Sequence, residues 1–200
     1  GTTQIANSSR QIKSDEMDKA RARNIDVEEI ACAYDMIVPV VNPSNRVANL
    51  TIDQLKGIYD GSINNWSQVG GPNEKIVVIS RDTSSGTYEY WHERVMRKTD
   101  VRADALLQAS NGAVISAVAG NPKAIGYVGF GYLNSTVKAL NVNGIVPTIE
   151  NGKSKAFPIS RALYMYVNKS TISAEARSFI NFILGAQGQK VVQDAGFIPL

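Results

Sequence analysis

Short apolar, β-branched runs alternate along the chain with stretches that carry helix start and stop signals, and the links between them are short. That order points to helices layered on sheet, an α/β fold, rather than a sandwich or a bundle. The strand candidates are residues 30–41, Lys75-Ile76-Val77-Val78-Ile79, the glycine-punctuated Ala124-Ile125-Gly126-Tyr127-Val128-Gly129-Phe130, and Ala162-Leu163-Tyr164-Met165-Tyr166-Val167. Residues 1–9, with Thr2, Thr3 and Ile5, form a short β-capable start that breaks at Asn7-Ser8-Ser9. Helices are expected where Ser14 caps an acidic first turn, where Thr51-Ile52-Asp53-Gln54 forms a capping box, over 88–96 and over 113–119. A last helix places Ala176, Phe179, Ile180, Ile183 and Leu184 on one apolar face. Asn42-Pro43-Ser44-Asn45 is a turn or hinge, and Asn64-Asn65-Trp66 and Gly70-Gly71-Pro72-Asn73 read as loops.

Two hundred residues, 44% hydrophobic and 20% charged, suffice for a real core, in one domain or two small ones. The net charge of +3 is spread among acidic neighbours, without a basic stripe, which argues against nucleic acid as a partner. The one cysteine, Cys32, leaves no internal disulfide and reads as a buried small side chain. A single histidine, His92, removes most His-based metal sites, and no metal or cofactor is expected. No apolar run reaches the length of about eighteen residues that spans a membrane, and the first residues do not read as a signal peptide.

Residues 79–89 put one fixed cation and a run of small donors where a strand gives way to a helix. The first amides of a helix have no intrahelical partner and sit at the positive end of its dipole, so they can take up a small oxyanion. Gly86 lets the backbone approach, Ser85 and Thr87 add hydroxyls, and Arg81 adds a planar fork suited to a tetrahedral anion. Asp82 fits beside an anion if it points away and clamps the guanidinium. The competing reading is an ordinary polar turn, with Ser84 or Ser85 as helix cap and Arg81 solvated at the surface. Asn111 likewise is either a second anion contact or a helix cap.

Taken in order, 1–10, 38–45, 63–66, Ser80-Arg81-Asp82 with Ser84-Ser85-Gly86-Thr87, 124–127 and Pro158-Ile159-Ser160-Arg161 resemble the phosphate-binding proteins of bacterial ABC transporters. The resemblance implies the type II periplasmic binding protein fold, two α/β lobes joined by two crossover strands with the ligand in the cleft between them. Residues 1–41 and 133–200 would make the first lobe, in part, and 42–132 the second, with crossings near Asn42-Pro43 and in 131–136. It also makes Arg81, Ser85, Gly86 and Thr87 the phosphate contacts and Asp82 the partner of Arg81.

Two departures stand out. Gln4 occupies the place where many members carry a proton-accepting Asp, which would weaken discrimination against sulfate. The chain also starts after the Gly/Ser-rich loops that supply the first lobe's contacts, so that lobe and its half of the site are expected to be incomplete, with an exposed sheet edge.

The implied function is an extracytoplasmic solute-binding protein, periplasmic or extracellular, that hands inorganic phosphate to an ABC permease. Any membrane attachment would come through a lipid anchor outside the chain. The alternative is an anion-sensing or protein-interaction module on the same fold. An enzyme is not expected. Ser84, Ser85 and Ser116 lack a GxSxG context, and two helical turns separate Ser85 from His92.

Overall fold

The computed structural model describes residues 3–200. In chain order the elements are β1 (Ala6–Ser8), α1 (Ser14–Arg21), β2 (Val27–Val41), β3 (Asn49–Leu50), α2 (Ile52–Asp60), β4 (Val77–Arg81), α3 (Gly86–Arg94), β5 (Leu106–Gln108), α4 (Asn111–Ala119), β6 (Ala124–Gly129), β7 (Lys138–Ala139), β8 (Asn141–Val142), α5 (Ile149–Lys153), β9 (Ser160–Asn168), α6 (Ala174–Leu184) and α7 (Ala186–Asp194). The chain divides into two compact units. Unit 1 holds Gly1–Asp35 with Arg161–Leu200, and unit 2 holds Met36–Ser160. The part of the β-capable start on residues 1 and 2 lies outside the described residues.

In unit 1, β9 lies between β1 and β2. β1 is antiparallel to β9, with Asn7 opposite Met165 and Ser8 opposite Tyr164. The expected break at Asn7-Ser8-Ser9 is therefore strand for its first two residues, because ladder hydrogen bonds with β9 satisfy a backbone whose side chains are polar. Lys13, not Ser14, holds the cap position of α1, and the Glu16 carboxylate accepts the Lys13 N–H at 2.9 Å while Arg10 grips both its oxygens. At the unit's edge the Arg161 guanidinium binds Asp35 Oδ2 through Nε at 3.1 Å and Nη2 at 3.0 Å, with both side chains largely buried. Of the apolar face expected on α6, Ile180 is buried, while Phe179 and Leu184 are exposed.

Unit 2 is a sheet in the order β2, β6, β4, β5. β6, β4 and β5 run parallel, so their carboxyl ends share one edge, and the second half of β2 is antiparallel to β6. α4 packs on this sheet through Val114, Ile115 and Val118, which meet Val40, Ile79, Ala124 and Val128 in one buried cluster. A Cβ on Gly126 would lie 2.6 Å from Val114 Cγ1 and 2.9 Å from Val118 Cγ2, so the bare backbone of β6 is what lets α4 come this close. The capping box at Thr51 forms as expected, and Gly61 ends α2 in the left-handed conformation at φ 92°. Trp66, expected as the end of a loop, instead opens a 3-10 turn over Trp66–Val69 that Asn65 caps. No helix among the described residues is long and apolar enough to cross a membrane.

Candidate functional site

The turn between β4 and α3 lies at the carboxyl edge of three parallel strands, where side chains and helix starts converge. Both flanking elements are shifted by two residues from their expected positions. β4 continues through Ser80 and Arg81, since the backbone of those polar residues pairs with Leu107 and Gln108 of β5, and α3 starts at Gly86. Within the turn, Asp82 O accepts the Ser85 N–H at 3.1 Å, and Asp82 Oδ1 accepts the Ser84 N–H at 3.1 Å and the Ser84 hydroxyl. Those bonds, the Ser84 hydroxyl first among them, hold the Asp82 carboxyl below its ordinary value.

Ser85 is the cap. Its Oγ accepts the Thr87 N–H at 3.2 Å and the Tyr88 N–H at 3.4 Å, and the residue is 8% exposed. The Gly86 N–H meets no acceptor among the described residues, and a Cβ built on Gly86 would find nothing within 4 Å. The first amide of α3, at the positive end of the helix dipole, is thus left without an acceptor among the described residues.

Arg81 is not the solvated surface residue of the competing reading. Its side chain is only 11% exposed, and main-chain carbonyls hold it: Nε donates to Gln108 O at 3.2 Å and Nη2 to Ala109 O at 3.2 Å. Asp82 Oδ2 stands 3.7 Å from Nη2, an ion pair beyond hydrogen-bond reach. Asp82 therefore shapes the turn first and neutralises the guanidinium second. Nη1 is left without an acceptor among the described residues.

Beneath the turn lies an aromatic cluster that sequence reasoning missed. The Tyr127 hydroxyl accepts the Arg81 N–H at 3.2 Å and shares a hydrogen bond with Ser80 Oγ at 2.9 Å. The Tyr127 ring stacks on Trp91 of α3 with centroids 4.1 Å apart, and Tyr59 lies against both. Burial pushes the Tyr127 hydroxyl up to about 12. The available signal was a phenol inside an otherwise apolar strand, since a buried Tyr hydroxyl has to find a partner. Gln108 and Ala109 carried no signal, because they act through main-chain carbonyls.

The remaining candidates have other hydrogen-bond or contact partners. Ser110, not Asn111, caps α4, its Oγ accepting the Ala113 N–H at 3.1 Å, while Asn111 Oδ1 accepts the Gly129 N–H at 3.3 Å. Gln4 belongs to unit 1, where its Oε1 accepts the Ser173 N–H at 2.8 Å. His92 stacks on Tyr88 and lies 3.8 Å from Asp100, while the Ser85 oxygen is engaged with amides of its own helix. Cys32 is half-buried, with its Sγ 3.4 Å from Leu163 O.

The PBP superfamily domain, as a family model, matches residues 1–187. This chain belongs to the PBP superfamily. The superfamily placement bears out the resemblance read from the sequence and the α/β class of a type II periplasmic binding protein. Among its relatives, the phosphate-binding protein PstS of Borreliella burgdorferi is 34% identical over 98% of this chain and 72% of its own length. An ABC-type phosphate transport receptor from Vibrio cholerae is 32% identical, with a TM-score of 0.86 over 98% of this chain and 80% of that one. A Clostridium perfringens phosphate ABC transporter substrate-binding protein, solved with bound phosphate, is 33% identical with a TM-score of 0.79 over 99% of this chain and 79% of that one. This PBP-superfamily chain spans 64% of the length of other curated relatives, such as Protein SphX of Synechococcus elongatus. The Borreliella and Clostridium relatives are named as binding proteins and the Vibrio relative as a transport receptor, none of them as an enzyme.

Proposed function

We propose that this chain captures inorganic phosphate and delivers it to an ABC importer, as a solute-binding subunit working outside the cytoplasmic membrane. One observation carries the reading. A nearly buried guanidinium, steered by two main-chain carbonyls, stands at the turn that opens a helix whose first amide is unclaimed. The names of the relatives and the phosphate bound in the Clostridium perfringens protein support the choice of anion. The transport names of the relatives support a permease partner, and periplasmic placement and lipid anchoring belong to the same proposal.

In this reading Arg81 supplies the charge, the Gly86 N–H and the Thr87 hydroxyl donate, and Ser85 donates its hydroxyl proton because its oxygen already accepts two amides. Asp82 holds the turn. Gln4 and Asn111 rank lower, since each has committed its amide oxygen to a backbone N–H. Isothermal titration of the chain with inorganic phosphate tests the assignment. Arg81→Ala is expected to lose on the order of a hundred-fold in affinity, the equivalent of about 2–3 kcal/mol for charge-assisted bonds. An unchanged affinity in that variant removes Arg81 from the site, and absence of phosphate uptake by the unaltered chain overturns the function. Sulfate competition in the same titration measures selectivity, and Gln4→Asp is expected to sharpen it if Gln4 reaches the anion.

A further inference from the structure

Tyr127 touches both halves of the anion turn. Its hydroxyl accepts the Arg81 N–H at 3.2 Å and pairs with Ser80 Oγ at 2.9 Å, which fastens it to the carboxyl end of β4. Its ring lies flat on Trp91, with an interplanar angle of 6°, and Trp91 is a fully buried residue of α3. Tyr59 closes another side of the ring at 5.6 Å and donates its own hydroxyl to Ile79 O at 3.1 Å. One buried side chain therefore spans the strand that carries the cation and the helix whose start supplies the amide. Capture of a small anion depends on the spacing of those two donors, and groups displaced by about 1 Å lose much of their effect.

We propose that Tyr127 is a positioning residue for anion capture. Through its hydroxyl it fixes the main chain of Arg81, and through its ring it fixes α3, so that the guanidinium and the Gly86 amide converge on one acceptor. The proposal rests on reading this turn as the phosphate site. The phenol does not reach the anion itself, because Ser80 and the Arg81 amide occupy its hydroxyl and the residue is fully buried. The chain of bonds is consistent in direction. Tyr127 donates to Ser80 Oγ, Ser80 donates to Arg81 O at 3.2 Å, and the Arg81 N–H returns to the phenol oxygen.

Tyr127→Phe keeps the ring and removes only the hydroxyl. Titration calorimetry with inorganic phosphate is expected to show binding about ten-fold weaker than in the unaltered chain. The Tyr127→Phe, Arg81→Ala double variant is expected to bind no more weakly than Arg81→Ala alone. Additive losses would mean that the hydroxyl acts independently of Arg81, and that result, or an unchanged affinity in Tyr127→Phe, overturns the proposal. A second readout needs no ligand: amide hydrogen exchange at Arg81 is expected to quicken in Tyr127→Phe, and unchanged protection also overturns it. If the unaltered chain takes up no phosphate, the reading of the site falls, and the exchange measurement alone decides whether Tyr127 holds Arg81.

Discussion

Gly86 is glycine for a reason its own fold does not supply. Its φ is outside the left-handed region and a Cβ there would touch nothing, so neither strain nor packing excludes alanine. Gly86→Ala is therefore expected to leave the melting temperature unchanged or slightly raised, because alanine loses less entropy at a helix start. The same methyl intrudes on the space above the first amide of α3, and phosphate affinity is expected to fall by about ten-fold or more, equivalent to about 1.4 kcal/mol. Calorimetry of the variant with and without phosphate separates the two effects. At this scale the sequence was only partly legible. The residue types around Arg81 left an anion-binding turn and an ordinary polar turn both open, and whether Arg81 was solvated or held depended on carbonyls of residues 108 and 109, which no side-chain pattern announces. Asp82 was legible as a turn former only once its bonds to Ser84 were known.

Elements were legible wherever a local rule dominated and shifted wherever pairing overrode it. The box at Thr51 and the left-handed Gly61 fix α2 from sequence alone. β1 and the end of β4 are polar segments recruited by neighbouring strands, so hydrophobic patterning placed their boundaries wrongly. α1 offers a pH test. Glu16 is held at about 2, first by its hydrogen bond from Arg10 and then by the Lys13 amide. A carboxyl depressed on folding contributes stability that is complete above its unfolded value of 4.5 and is lost as pH falls toward 2. Helical circular dichroism and melting temperature are expected to fall through that window, and Glu16→Gln is expected to flatten part of the fall. In β6, Gly126→Ala would drive a methyl into Val114 and Val118, with an expected cost of about 1–3 kcal/mol in denaturant unfolding.

Across the whole molecule the two units are unequal. The largest fully buried side chains, among them Trp66, Trp91, Tyr59, Tyr127 and Phe157, all belong to unit 2. Unit 1 is expected to unfold at lower temperature, and Asp35→Ala, which takes the carboxylate from the Arg161 fork, is expected to lower that transition further by about 3 kcal/mol. The alternation of strand and helix announced an α/β chain. The uneven distribution of the core was hidden, because burial on α6 depends on what packs against it, not on its own apolar face. Both tryptophans of the chain, Trp66 and Trp91, lie in unit 2. Tryptophan fluorescence therefore follows unit 2 alone while far-ultraviolet dichroism follows both, and melting curves that coincide would refute separate unfolding. Trp91 also sits in the helix that begins at Gly86, stacked on the phenol that contacts the Arg81 amide. An indole so placed is a built-in optical probe. If the proposed site is right, an anion arriving at the turn is expected to alter the local field around it, so that the chain's own emission reports occupancy without any dye or label.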